Sequence, residues 1–248
     1  VRSYKIRGAY NKIRTIDPEL VTNGIVCASA GNHAQGVAFS CSKLKIMGSI
    51  FMPVTTPRQK IEQVRMFGKE FIEIILTGDT FDAANSAAIA YAKENNKTFI
   101  PPFDDPKVME GQGTIGREIL NQSKEALDYI FVPIGGGGLA SGLGAYISQM
   151  SPDTKIIGVE PGGAPCMKAA IENGGPVKLE HIDKFVDGAA VQLAGTHTYE
   201  VCHQVLDDIN AYEGYCNQHP EYKNAKAVLT IERIKEIYAD RLESGDFL

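Results

Sequence analysis

Three stretches of this 248-residue chain place side chains and backbone where they could do chemistry. Near the start, Ser3-Tyr4-Lys5-Ile6-Arg7-Gly8-Ala9 sets a lysine between apolar neighbours at what reads as a strand-to-helix junction. Most such lysines snorkel at the surface. A desolvated one has a depressed pKa and forms a Schiff base with an aldehyde cofactor, and Arg7 would add positive field near a phosphate. The second stretch is Ser29-Ala30-Gly31-Asn32-His33-Ala34-Gln35-Gly36. Its plain reading is a tight turn capped by Ser29 or Asn32. Small residues there also expose backbone N–H groups at a helix start, which suits a carboxylate or phosphate. Asn32 can donate to an anionic oxygen, and His33 is either a contact or a structural residue. The third is Gly135-Gly136-Gly137-Gly138-Leu139. Four consecutive glycines are entropically costly, and they suit a place where backbone must approach a phosphate closely.

Gly135, Gly137 and Ala140 also fit the dinucleotide fingerprint G-x-G-x-x-G/A, with Glu160 closing the next apolar run where a ribose-binding acid belongs. An NAD-binding oxidoreductase would use these residues, but it gives no task to Lys5 or to the 29–36 turn. A catalytically inert scaffold accounts for none of the three stretches.

The elements that must position these residues alternate between strand and helix, the pattern of parallel sheets covered by helices. Strands are expected at 24–28, 49–52, 70–76, 98–100, 129–134 and 155–159. Helices are expected at 34–44, 81–94, 115–124 and 139–149, with another capped by Thr56, carrying Pro57 in its first position and running to about Phe67. Residues 216–226 read as polar and irregular, and 228–243 as a charged amphipathic helix.

Composition sets the class. The chain is 44 % hydrophobic and 22 % charged, which fits a globular protein. Its net charge of −5 offers no basic surplus for nucleic acid. No apolar run reaches the roughly 20 residues of a membrane helix, and the opening VRSYKIRGAY has no signal-peptide pattern. Five scattered cysteines (27, 41, 166, 202 and 216) form no CxxC pair, so a reducing compartment is expected, the cytoplasm by default.

Together the three stretches resemble fold-type II pyridoxal-phosphate enzymes, specifically the threonine dehydratases (threonine ammonia-lyases). The likeness runs from residue 1 to about 206. It takes in Phe51-Met52-Pro53-Val54-Thr55-Thr56-Pro57, Gly78-Asp79-Thr80-Phe81-Asp82, Glu110-Gly111-Gln112-Gly113-Thr114 and Asp187-Gly188-Ala189-Ala190-Val191. The resemblance implies an α/β fold of two parallel-sheet, three-layer domains, the smaller inserted in the larger. Residues 1–26 and 106–208 would form the large cofactor domain, 27–105 the small one, with 209–248 unassigned. It implies pyridoxal 5'-phosphate as cofactor and Lys5 as its Schiff-base lysine and general base. Tyr4 would lie near the ring, and Asn32 would contact the ring 3-oxygen. Gly135, Gly136, Gly137, Gly138 and Leu139 would bind the phosphate, with Gly188 beside them. Ser29, Ala30, Gly31, Asn32 and His33 would receive the substrate carboxylate. The implied reaction dehydrates and deaminates L-threonine, and also L-serine, in a cytoplasmic homo-oligomer with no nucleic-acid or membrane partner. A serine racemase or serine dehydratase is the alternative. Similar racemases place a serine directly before the Gly-Asn of the turn, where this chain has Ala30.

The sequence departs from the family pattern in two ways. No S-G-G-N-like loop for the pyridine nitrogen and no E-P-A-G-A segment is found in 207–248, and no helices precede the lysine stretch. A truncated chain, or one with a misassembled tail, is therefore expected. Relatives with a metal site carry an acid six positions after the strand-end glutamate. Here Cys166 holds that position after Glu160, so no metal is expected.

Overall fold

The structure, a computed structural model, describes residues 1–183, 186 and 188–212. The irregular stretch and helix expected at 216–226 and 228–243, Cys216 and Asp187 lie outside the described residues. Helix α1 (Lys5–Thr15) comes first, then β1 (Ile25–Ala28), α2 (Asn32–Leu44), β2 (Gly48–Met52), α3 (Arg58–Gly68), β3 (Ile72–Leu76), α4 (Phe81–Glu94) and β4 (Thr98–Phe99). These strands form one parallel sheet in the order β3-β2-β1-β4. A second parallel sheet, in the order β5-β6-β7, is built from β5 (Tyr129–Pro133), β6 (Lys155–Pro161) and β7 (Asp208–Tyr212). Helices α5 (Pro106–Gln122), α6 (Gly138–Met150), α7 (Cys166–Asn173) and α8 (Thr196–Val205) complete the chain order.

Period-two alternation assigns the faces of the first sheet. Ile25, Cys27, Ile50 and Met52 point to one side and pack with Ala9 and Ile13 of α1, Ala34, Val37, Ala38 and Cys41 of α2, and Val64 of α3. Val26, Ala28 and Phe51 point to the other and pack with Ala88 and Ala92 of α4. The central strands β1 and β2 are buried on both faces, which explains their continuous apolar runs. A separate core gathers Ile130, Val132 and Ile156 of the second sheet with Leu143 and Ile147 of α6, Met167 of α7 and Cys202 of α8.

Several elements differ from expectation. Helix α5 begins at Pro106, nine residues before the expected 115, because the Asp105 carboxylate caps it, accepting from Lys107 N at 2.8 Å and Val108 N at 3.2 Å. Its glycines lower helix propensity and obscured the pattern, yet they serve packing. A Cβ on Gly111 would lie 2.6 Å from both the Arg7 carbonyl and Gly8 Cα. Helix α1 is likewise new, and Lys5 is its first residue rather than part of a strand junction. Thr56 does not cap α3; Pro57 holds the cap position with no side-chain bond, and the buried Thr56 Oγ1 has no partner. Helices α7 and α8 were unread, and β7 lies mostly in the tail left unassigned. Among the described residues, no helix is long and apolar enough to cross a membrane.

This topology fixes where a ligand can sit. The chain leaves β1 towards β2 through α2 on one face, whereas it enters β4, on the other side of β1, from α4 on the opposite face. Connections diverging in this way open a crevice beyond the carboxyl ends of the two strands. The 29–36 turn leaves β1 there, and Ile100-Pro101-Pro102-Phe103 leaves β4 there.

Candidate active site

Lys5 stands at the first turn of α1, with its backbone N–H bonded to Ser3 Oγ at 3.3 Å. Its side chain reaches the crevice, where Nζ donates to Pro102 O at 2.8 Å. The rings of Tyr4 and Phe103 lie 5.7 and 5.9 Å from Nζ, within cation–π range. Burial among these groups lowers the Lys5 pKa from 10.5 to about 8, since an ammonium loses hydration there. Burial also raises the Tyr4 phenol.

The glycine run faces Lys5 across one cleft. Tyr4, Lys5 and Phe103 line it together with Gly135, Gly136, Gly137, Gly138, Leu139 and Gly188. The run follows β5 and opens α6, so its amides gather at a helix start. Glycine is needed for two reasons. Gly137 has φ +93°, and any Cβ on Gly136 would collide with the Phe103 ring. A cradle bare of side chains opposite a buried amine fits a group with a phosphate at one end and an aldehyde at the other.

The 29–33 turn is not part of that lining. It borders Lys5 through α2: a Cβ on Gly36 would lie 3.1–3.2 Å from the Lys5 and Ile6 backbone. Gly31 holds the α2 cap position with no side-chain bond, so neither Ser29 nor Asn32 caps the helix; Ser29 Oγ accepts from Gly31 N at 3.1 Å. Asn32 is exposed, and Ala30 packs on the apolar cluster of the first sheet. His33 is buried, its Nε2 3.0 Å from Ile100 O, while Nδ1 has no partner. A carbonyl partner requires Nε2 to carry the hydrogen. Burial, then the nearby Lys5 charge, lower the His33 pKa to about 4, although the Ile100 carbonyl opposes the shift.

Two expected contributions are absent from the cleft. Arg7 turns away to Glu118, with Nη2 2.8 Å from Oε2, and to Thr114 Oγ1 at 3.0 Å, so its charge is matched at the surface. Glu160 is 1 % exposed, and its two oxygens accept from Met167 N and Lys168 N, both at 2.8 Å. It ties down the start of α7 and is not free for a ribose hydroxyl, which removes the dinucleotide reading. Among the described residues, no group of three or more His, Cys, Asp or Glu is placed to hold a metal ion. Sequence reasoning missed Pro102, Phe103 and Asp104. Their signal is the run Pro101-Pro102-Phe103-Asp104-Asp105-Pro106, whose prolines mark a break between elements without indicating contact with the cleft.

The chain matches the family model described as pyridoxal-phosphate dependent enzyme over residues 1–215. It is 57 % identical over 209 residues to the biosynthetic L-threonine dehydratase IlvA of Halalkalibacterium halodurans, and 56 % to that of Bacillus subtilis. Each alignment covers 84 % of this chain and 50 % of the relative, so the chain spans about half the length of these proteins. Among solved structures, the processed form of threonine deaminase isoform 2 from Solanum lycopersicum is similar, with a TM-score of 0.82 and 44 % identity, covering 86 % of this chain and 61 % of that one. Maize serine racemase superposes with a TM-score of 0.79 at 29 % identity, covering 90 % and 67 %. The two parallel sheets, the lysine at the crevice and the glycine cradle agree with these matches, and the chain belongs to the fold-type II branch of the pyridoxal-phosphate-dependent enzymes.

Proposed function

We propose that this chain is the cofactor-binding part of an L-threonine dehydratase that converts L-threonine to 2-oxobutanoate and ammonia, and L-serine to pyruvate and ammonia. The observation that carries this reading is Lys5, a buried amine with a pKa of about 8 in one cleft with the glycine run. Bound pyridoxal phosphate supplies the electron sink that makes the amino-acid Cα–H acidic.

The protein's own groups supply the rest. Lys5 would hold the cofactor through its aldehyde and, as the buried amine of the cleft, would take the α-proton of a bound substrate. At pH 7 a pKa of about 8 leaves roughly a tenth of the amine neutral, against well under a thousandth for an ordinary lysine. The amides of residues 135–139 would hold the phosphate, with Gly188 and Tyr4 lining the same cleft. The turn from Ser29 to His33, at the start of α2, would receive the substrate carboxylate, and the Asn32 amide, which is exposed, would be the donor to the ring oxygen. His33 is neutral, and its one N–H is engaged by Ile100, so it orders the crevice rather than moving protons.

Ala30 favours elimination over racemisation, because a methyl group has no proton to return to Cα. The sequence division is kept in this reading except at its first cut: the inserted domain runs over 25–105 instead of 27–105, which keeps β1 whole. The protein is further read as a cytoplasmic homo-oligomer, in keeping with the four free, buried cysteines among the described residues.

The test is to load the full-length protein with pyridoxal phosphate and supply L-threonine. Equal amounts of 2-oxobutanoate and ammonia are expected. A loaded protein that yields neither overturns the reading.

A further inference from the structure

The peptide carbonyls of the glycine run are bonded from behind by side chains that the catalytic reading leaves without a task. Thr198 Oγ1 lies 2.7 Å from Gly136 O, closer than the 3.2 Å to Gly195 O in its own helix turn. Cys166 Sγ, a weaker donor, lies 3.3 Å from Gly135 O and shares its one S–H between that carbonyl and the Glu160 carboxyl. Both residues are fully buried, at 0 % exposure.

Each donor stands at a helix start that a carboxylate fastens. Asp104 accepts from Thr196 N at 3.0 Å and Thr198 N at 3.1 Å, fixing the start of α8. Glu160 does the same for α7, whose first residue is Cys166. Asp104 also follows Phe103, which packs over Gly136 and Gly138 in the cleft. The glycine run therefore has Phe103 on one side and Thr198 and Cys166 on the other.

In a trans peptide the C=O and the following N–H point in opposite directions, and the described residues include no cis peptide bond. Holding the Gly136 carbonyl towards Thr198 turns the Gly137 N–H away from it. Holding the Gly135 carbonyl towards Cys166 does the same for the Gly136 N–H. Four glycines in a row would otherwise sample many orientations. A hydroxyl that selects one of them before a ligand arrives lowers the ordering cost of binding.

We propose that Thr198, supported by Cys166, is a positioning residue for the phosphate cradle, orienting the amides of Gly136 and Gly137 towards a phosphate ester. This rests on the cofactor reading above. The experiment compares two probes on the full-length protein, pyridoxal phosphate and pyridoxal, which share the aldehyde and differ in the phosphate. Thr198→Val removes the hydroxyl at nearly constant shape, and Thr198→Ser keeps it.

The valine variant should bind pyridoxal phosphate roughly five- to tenfold more weakly, about the effect of one hydrogen bond. Its affinity for pyridoxal should be unchanged, and the serine variant should restore tight binding. Equal loss for both probes, or no loss for either, overturns the role assigned to Thr198. Wild-type protein that binds neither probe overturns the cofactor reading instead. If the valine variant does not fold, Cys166→Ala is read the same way, with a smaller phosphate-dependent loss expected and an equal loss for both probes overturning the proposal.

Discussion

Lys5 Nζ donates to the carbonyl oxygen of Pro102, 97 residues further along, across 2.8 Å. The bond joins the first turn of α1 to the segment leaving β4, and it places the amine at the crevice before any cofactor is considered.

The first prediction is a pH dependence. Only the neutral amine attacks an aldehyde, and burial lowers the Lys5 pKa from 10.5 to about 8. Its capture of pyridoxal phosphate, followed by rapid mixing with cofactor-free protein, should speed up with rising pH and level off above about 8. A rate still climbing through pH 10 would mean that Lys5 titrates like a solvent-exposed lysine.

Removing the amine should remove the chemistry. Lys5→Ala is expected to lower turnover of L-threonine by at least a thousandfold while keeping the circular dichroism of the parent, because the lysine lies at the cleft and outside all three apolar clusters. Near-parental activity in this variant would refute Lys5 as the base.

The cradle tolerates no added carbon at its centre. In Gly136→Ala the new methyl group meets the Phe103 ring, so either the ring or the loop must shift. Overpacking of this kind costs about 1–3 kcal/mol. The melting temperature should fall, and the stabilisation that pyridoxal phosphate gives the parent should shrink. NAD should stabilise neither form. Stabilisation by NAD alone would revive the dinucleotide reading.

Glu160 should make stability pH-dependent. Burial, opposed by bonds from the Met167 and Lys168 amides, raises its pKa from 4.5 to about 7. Between those values the folded chain holds a proton that the unfolded chain has lost, so this group's contribution to stability falls as pH rises from about 4.5 to 7. Glu160→Gln should flatten the decline, measured by urea unfolding at pH 5, 6 and 7. Parallel profiles for variant and parent would show that Glu160 is charged throughout.

The choice between elimination and racemisation should respond to residue 30. With L-serine the parent is expected to give pyruvate and little D-serine, and Ala30→Ser should raise the D-serine share several-fold. D-serine formed by the parent as fast as pyruvate would show that Ala30 does not decide the outcome.

Most of the first sheet was legible because its strands are buried on both faces and read as apolar runs between turn signals. Helix α4 was expected over its observed span, 81–94, with Thr80 capping it through Ala83 N. The cleft residues Lys5 and 135–139 were legible through an unusual local pattern, a lysine between apolar neighbours or a run of glycines, whereas Tyr4 and Gly188 came only from the family resemblance. What stayed hidden depends on contacts far apart in sequence. The glycines of α5 look like helix breakers until α1 and α6 are seen packed against them, as with Gly113 against Gly142 O. Arg7 was expected to add positive field near a phosphate because the sequence does not reveal that Glu118 stands beside it. Thr198 carries no local signal in the sequence, since its partner carbonyl lies 62 residues away.

The end of the cleft proposed to hold the phosphate is lined by glycine backbone, and a peptide amide neither gains nor loses charge in the physiological range. Its attraction for an anion is therefore constant over the pH values at which Lys5 and the phosphate itself change charge, the latter near pH 6. An acidified protein should therefore release its cofactor through the lysine end and the ligand's own protonation, while the cradle keeps an unaltered affinity for whatever dianion remains.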